Sequence, residues 1–119
     1  MKKLTGFKKI EECLEEIKNR YKNNEKVRKK LAKYDEPIQM KFLDSNRKVL
    51  LLINKDQGID IKDNTGDDKA PVKIEFVAED VIFDLFNKKL GAVKAYSDGK
   101  IKIIEGNMRS LMKLKSLMF

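Results

Sequence analysis

The sequence predicts an α+β fold in which helices cover the apolar face of a five-stranded sheet. Three observations predict it. Apolar residues recur at helical spacing at both ends of the chain and once between them. In five shorter segments they recur at every second position, four in succession and one later. Turn residues punctuate the boundaries between these segments.

The first segment places Leu4, Phe7, Ile10, Leu14, Ile17 and Tyr21 on one helical face, with Glu11, Glu12, Glu15, Glu16 and Lys18 mainly elsewhere. Asn23-Asn24 interrupts the pattern, and Asn24 is suited to cap a second short helix carrying Val27, Leu31 and Tyr34. Glu36-Pro37 ends that helix, because a residue before proline avoids helical angles. The period then drops to two. Ile38, Met40 and Phe42 alternate with Gln39 and Lys41, and Asp44-Ser45-Asn46 supplies a turn. Val49, Leu51 and Ile53 follow. Leu50 and Leu52 break this alternation, as expected of an inner strand partly covered on its second face. A turn around Asp56-Gln57-Gly58 leads to Ile59 and Ile61, and a polar loop from Asp63 to Lys69 leads to Val72, Ile74 and Phe76.

Ala78-Glu79-Asp80 puts acidic residues where they favour a helix dipole. The stripe Val81, Ile82, Leu85 and Phe86 stops near Lys89. Ala92 to Tyr96 fits one more short helix, and Asp98-Gly99 marks a turn. Ile101 and Ile103 alternate with Lys100 and Lys102 as the fifth strand. Asn107 suits the cap of a last helix with Met108, Leu111, Met112, Leu114 and Met118 on a broad apolar face.

The 119 residues fit one domain, 1–119. Apolar residues make up 41% and charged residues 39%, a pairing that suits a real core under a densely ionic surface. The longest apolar run, Val49 to Ile53, is of strand length, far below the ~20 residues of a membrane span. No secretory apolar core is seen, and the ending Ser116-Leu117-Met118-Phe119 is not the peroxisomal Ser-Lys-Leu signal, so the expected location is the cytoplasm.

Chemistry-bearing patterns are sparse. The chain contains no histidine, which excludes Ser-His-Asp and Cys-His catalysis and the usual Cys/His zinc sites. Cys13, the single cysteine, lies among Ile10, Leu14 and Ile17 and reads as a structural thiol. Asp63 to Asp68 has the acidic character of a calcium loop but neither its spacing nor flanking helices. The six glycines are isolated at turns, with no phosphate-cradling motif. A net charge of +8 raises nucleic acid or an anionic membrane as partners. The one local cluster is Lys26, Arg28, Lys29, Lys30 and Lys33, and a solvated lysine-rich surface is the favoured reading. The strands also lack the interleaved exposed aromatics that base stacking needs. Phe76, Phe83, Phe86, Tyr96, Met108, Met112 and Met118 would suit the wall of an acyl-chain cavity, since methionine adapts to irregular shapes. Composition alone favours ordinary core packing for them.

The stretch from Ala95 to Leu114 is more specific. Its Ala95-Tyr96, its strand Gly99-Lys100-Ile101-Lys102-Ile103, its Gly106-Asn107 and its helix ending Met112-Lys113-Leu114 resemble the end of the sterol carrier protein type 2 domain. The segment Ala78 to Phe86 is similar to that family's helix after the fourth strand. The resemblance extends over roughly Val49 to Leu117 and is weak over the N-terminal helices. Ile104 is one residue more than the family spacing, which predicts a bulge or a longer strand. The family's Gly and Pro after the acidic-start helix are missing; Lys88 and Ala92 stand near those places, with Gly91 between.

The resemblance implies a mostly antiparallel five-stranded sheet enclosing an apolar tunnel. It implies non-catalytic binding and transfer of a lipid: a fatty acid, an acyl-CoA, or a sterol-like or isoprenoid molecule. No cofactor is called for. The implied lining is Phe76, Ile82, Leu85, Phe86, Tyr96, Ile103, Met108, Leu111 and Met112. Lys113 and Lys115 could meet a lipid head group at the rim, although plain surface lysines are the favoured reading. Transient contact with an anionic membrane is an expected partnership, and nucleic acid is not. Two alternatives remain: an accessory subunit presenting lipid to an enzyme and, less favoured, a basic nucleic-acid-binding module.

Overall fold

The computed structural model describes residues 9–31, 37–54 and 58–118. Leu4, Phe7, Lys33, Tyr34, Glu36 and the turn residues Asp56 and Gln57 lie outside them. Within them the order is α1 (Ile10–Asn23), α2 (Glu25–Lys30), β1 (Ile38–Phe42), β2 (Arg47–Asn54), β3 (Gly58–Asp63) and β4 (Val72–Phe76). Then come α3 (Glu79–Phe86), α4 (Ala92–Ser97), β5 (Ile101–Glu105) and α5 (Met108–Met118). This is the α+β order that the two periodicities predict.

The five strands form one sheet in the order β3-β2-β1-β4-β5. Three pairings are antiparallel, and β1 and β4 run parallel at its middle, with Ile38 opposite Val72 and Phe42 opposite Phe76. The chain must therefore pass from β3, at one edge, to β4, beyond β1. The connecting loop does so on the face away from the helices. Its Thr65 N–H donates to the Lys48 carbonyl at 3.0 Å. The Asp67 N–H donates to Gln39 Oε1 at 2.7 Å. Gly66 comes so close that an added Cβ would lie 2.6 Å from Lys48 Cδ. The crossing covers Gln39 and its neighbour Leu50, each only 7% exposed, and so provides the second-face cover that Leu50 implies.

Local signals act as expected at several ends. Asn24 Oδ1 accepts from the Lys26 and Val27 N–H groups at the start of α2. Asn107 Oδ1 accepts from Ser110 N–H at the start of α5. Ile104 is the bulge: Lys73 faces Glu105 and Ile74 faces Ile103, which leaves Ile104 as the extra residue of β5.

Helix α3 ends in a Schellman arrangement. Lys89 N–H reaches the Asp84 carbonyl at 2.8 Å and Lys88 N–H the Leu85 carbonyl at 3.2 Å. This fold needs a left-handed residue between them, and Lys88 adopts it at φ 61°. A side chain is disfavoured there and glycine is not. Lys88→Gly is accordingly expected to stabilise the protein by about 0.5–1 kcal/mol. The readout is a higher urea midpoint at unchanged slope.

Candidate functional site

Two apolar surfaces meet in one layer. From the sheet come the alternating residues Ile38, Met40, Phe42, Val49, Leu51, Ile53, Val72, Ile74, Phe76 and Ile101, all buried. The Phe42 and Phe76 rings stack across the parallel seam, with centroids 5.0 Å apart and planes inclined by 26°. From the helices come Ile10, Cys13, Leu14, Ile17 and Tyr21 of α1, Val81, Ile82, Leu85 and Phe86 of α3, and Leu111, Leu114 and Leu117 of α5. Helix α4 turns Ala92 and Ala95 inward and packs on β5. Two small residues let its backbone approach the strand closely.

The nine predicted lining residues divide into two groups. Phe76, Ile82, Leu85, Phe86 and Leu111 are buried in this layer, and Ile103 packs against it half-buried. Tyr96, Met108 and Met112 are 39%, 42% and 40% exposed and turn outward. Absent from the predicted lining are Met40, Phe42 and Ile74, which are fully buried in the middle of the sheet. Their two-residue alternation is the signal that points to them.

Polar groups fasten the layer from outside. The Arg47 guanidinium holds Asp63 with Nε–H at 2.9 Å and a second, parallel hydrogen bond, clamping β2 to β3. It also reaches Glu11 of α1 at 3.2 Å. Hydrogen bonding to Arg47 pulls the Asp63 carboxyl below its usual range. Glu11 is lowered too, first by a backbone hydrogen bond and then by Arg47. Arg20 of α1 is the second fastener. It pairs with Glu16 at 2.9 Å, lies 5.1 Å over the Phe86 ring of α3, and donates to the Leu117 carbonyl of α5 at 3.4 Å. Only its i,i+4 pairing with Glu16 is legible in the sequence.

Other candidate groups have structural partners. Lys113 Nζ donates to the Lys30 carbonyl at 2.6 Å, so it ties α5 to the end of α2. Arg28, inside the basic cluster, donates to the carbonyls of Tyr21 and Lys22 at the end of α1. Asp63, the first acid of the calcium-like loop, is taken by Arg47. Burial pushes the Cys13 thiol up to about 12, so it stays protonated and unreactive at neutral pH. An open groove of about 730 Å³ at the α1–α2 junction is lined by Glu16, Asn19, Arg20, Asn23, Asn24, Glu25 and Lys26. That polar groove includes none of the nine residues.

A mixed sheet with one face sealed under helices, and a continuous layer of aliphatic and aromatic side chains between them, defines an α+β domain built around an apolar interior. The chain belongs to the SCP-2 sterol transfer family, whose model matches residues 14–119. No curated protein matches it. Among solved structures it is similar to sterol carrier protein domain 2 of Helicoverpa armigera, at 25% identity and TM-score 0.63, covering 91% of this chain and 83% of that one. It is also similar to palmitated SCP2L2 from Aedes aegypti, at 19% identity and TM-score 0.66, covering 93% and 95%. A third likeness is to the sec-alkylsulfatase Pisa1 from Pseudomonas sp., at 16% identity and TM-score 0.63. There, 76% of this chain matches only 14% of the enzyme. Family membership carries lipid binding or transfer as the general role.

Two results are expected from this geometry. Phe76→Ala should cost about 3–5 kcal/mol in urea unfolding, whereas Met112→Ser should stay within about 0.5 kcal/mol. The Asp63–Arg47–Glu11 cluster should add acid sensitivity. Because both carboxyls are lowered by folding, the stabilisation is complete above the ordinary carboxylate pKa near ~4 and is lost as pH falls below it. Asp63→Asn should lose about 1 kcal/mol at neutral pH, a small figure because the side chain is still 30% exposed. Its stability should also fall less on acidification, as measured by urea unfolding across pH.

Proposed function

We propose that this chain is a non-catalytic carrier that takes up one lipid molecule in the layer between sheet and helices, with residues 1–119 acting as one domain. The observation that carries the reading is the composition of that layer. Its described side chains are aliphatic, aromatic, thioether or thiol, with the Tyr21 phenol as the one hydroxyl among them, and its one buried thiol is held neutral. Such walls favour an acyl or isoprenoid chain and, among the described residues, offer a reacting group no carboxylate or amine as acid or base. Phe76, Ile82, Leu85, Phe86, Ile103 and Leu111 are the cargo-facing set. Tyr96, Met108 and Met112 are assigned to the outer surface instead.

Sixteen methylenes leaving water would gain roughly 13 kcal/mol gross at ~0.8 kcal/mol each. Association and chain ordering cancel much of that. Affinity in the low-micromolar range or tighter follows without any charged partner. Apart from the half-buried Ile103, the cargo-facing side chains are closed to solvent, so loading requires a helix to swing away. α5 is the natural one, since its buried apolar contacts are the single stripe Leu111, Leu114 and Leu117.

A fatty acid such as palmitate is the first ligand to test. Native mass spectrometry of purified protein, with organic extraction, should show one lipid per chain. Leu85→Trp, which fills the layer, should remain folded by circular dichroism yet lose at least about tenfold in palmitate affinity. Repeated absence of extractable lipid, together with no binding of fatty-acid probes, overturns the proposal. The likeness to a short portion of an alkylsulfatase supports a second reading, an accessory module presenting lipid to an enzyme. Stable co-purification with an enzyme would favour that reading over a free carrier.

A further inference from the structure

We propose that the open half of the outer sheet face, around Leu43 and Val77, is a docking surface for an acidic, extended segment of a partner protein. The inference goes beyond the carrier reading and does not depend on it, since this face lies on the other side of the sheet from the helices.

The first observation is incomplete cover. A parallel strand pair normally has both of its faces covered. Helices cover one face of the β1–β4 seam, and the crossing loop covers the other only at its Gln39 end. At the opposite end the pairing runs one residue past the strands. Leu43 N–H donates to the Phe76 carbonyl at 2.9 Å, and Val77 N–H to the Lys100 carbonyl at 3.0 Å. Phe42 and Phe76 are buried under the helices, so the next residues, Leu43 and Val77, point outward. They are 44% and 39% exposed. Two apolar side chains thus stand side by side in water on a hydrogen-bonded backbone, where the outer face of a sheet ought to be polar.

The second observation is charge. The row of the sheet beside this pair reads Lys48, Lys41, Glu75 and Lys102 across β2, β1, β4 and β5. Lys41 stands directly opposite Lys48, a placing of like charges that disfavours the sheet. Lys100 adds a further cation beside Val77. Among the described residues, none of these lysines is held in an ion pair. Asp44, next to Leu43, is already engaged, its Oδ1 accepting from Glu79 N–H at 3.1 Å at the start of α3. An apolar pair beside a surplus of unpaired cations complements a segment that alternates acidic and apolar residues.

The third observation is how the chain covers the other half of this face. The crossing loop carries Asp67 and Asp68 against Lys69. It lies over Gln39 and Leu50 and meets lysines: Lys73 Nζ donates to the Asp68 carbonyl, and Gly66 packs on the Lys48 stem. The protein therefore already seats an acidic stretch of its own on one half and leaves the other half open. A second copy of this chain would bring lysines against lysines. A nucleic acid would find no exposed aromatic ring to stack on among the described strand residues.

The test is an NMR titration of the whole isotope-labelled chain with a short synthetic peptide that alternates glutamate and leucine. The control peptide has lysine in place of each glutamate. The acidic peptide should shift the amide signals of Lys41, Leu43, Glu75, Val77 and Lys102, and its affinity should fall as salt rises. The lysine peptide should not bind. The variant carrying Leu43→Ser and Val77→Ser should keep its circular dichroism spectrum and bind at least about tenfold more weakly, as expected for the loss of two apolar anchors. Lys41→Gln with Lys102→Gln should weaken binding about fivefold or more and flatten its salt dependence. Lys26→Gln, which removes a cation of the helical layer, should change neither. The proposal is overturned by a lack of saturable binding, by equal binding of the lysine peptide, by shifts centred on the helices, or by full affinity in the serine variant. An RNA homopolymer that takes the same residues more tightly than the peptide, or a dimer that the serines dissolve, overturns it as well, because the face would then belong to another partner.

Discussion

The seam between β1 and β4 is the constraint on which the architecture depends. In the sheet, the β1–β2–β3 meander and the β4–β5 pair meet only there, through in-register parallel pairing. Parallel neighbours cannot be joined by a tight hairpin. The chain must make its β2 and β3 excursion and then return across the outer face, which explains the close loop over Gln39 and Lys48. The stack of Phe42 on Phe76 reinforces the seam on the helix side. Every helix after β4 takes its place relative to that line. Moving the seam by one residue would turn the apolar face of one half of the sheet outward relative to the other.

Much of this is legible in the sequence because strand and helix patterns differ in period and rarely imitate one another. The extra residue at Ile104 is legible only against the family spacing, which allows a bulge or a longer strand; the register of β4 with β5 makes it a bulge. The αL position at Lys88 is legible only as a missing glycine. Its meaning comes with the backbone, which shows a helix terminus that uses a left-handed residue whatever its side chain. Long-range polar fasteners are not legible. Nothing in sequence spacing brings Arg20 to Phe86 and Leu117, or Arg47 to Glu11, because those meetings depend on how α1 crosses the sheet.

The nine candidate residues show where pattern reading fails. On α5 the apolar residues cover more than half the circumference, so periodicity identifies a helix without saying which half faces the core. The leucines take the inner half. On α4 the usual ranking by size misleads. Ala92 and Ala95 are inward because close approach to β5 leaves no room for a ring, and Tyr96 is displaced outward. Size predicts burial where a gap must be filled, and smallness predicts it where two backbones touch.

The buried leucines of α5 set the energetics proposed for cargo exchange. Lifting α5 in water would expose Leu111, Leu114 and Leu117, at a cost of about 1.5–3 kcal/mol each. The contacts of Arg20 with Leu117 and of Lys113 with Lys30 would break as well. Spontaneous opening in solution would then be rare, which is what a carrier needs if it is not to lose its load between membranes.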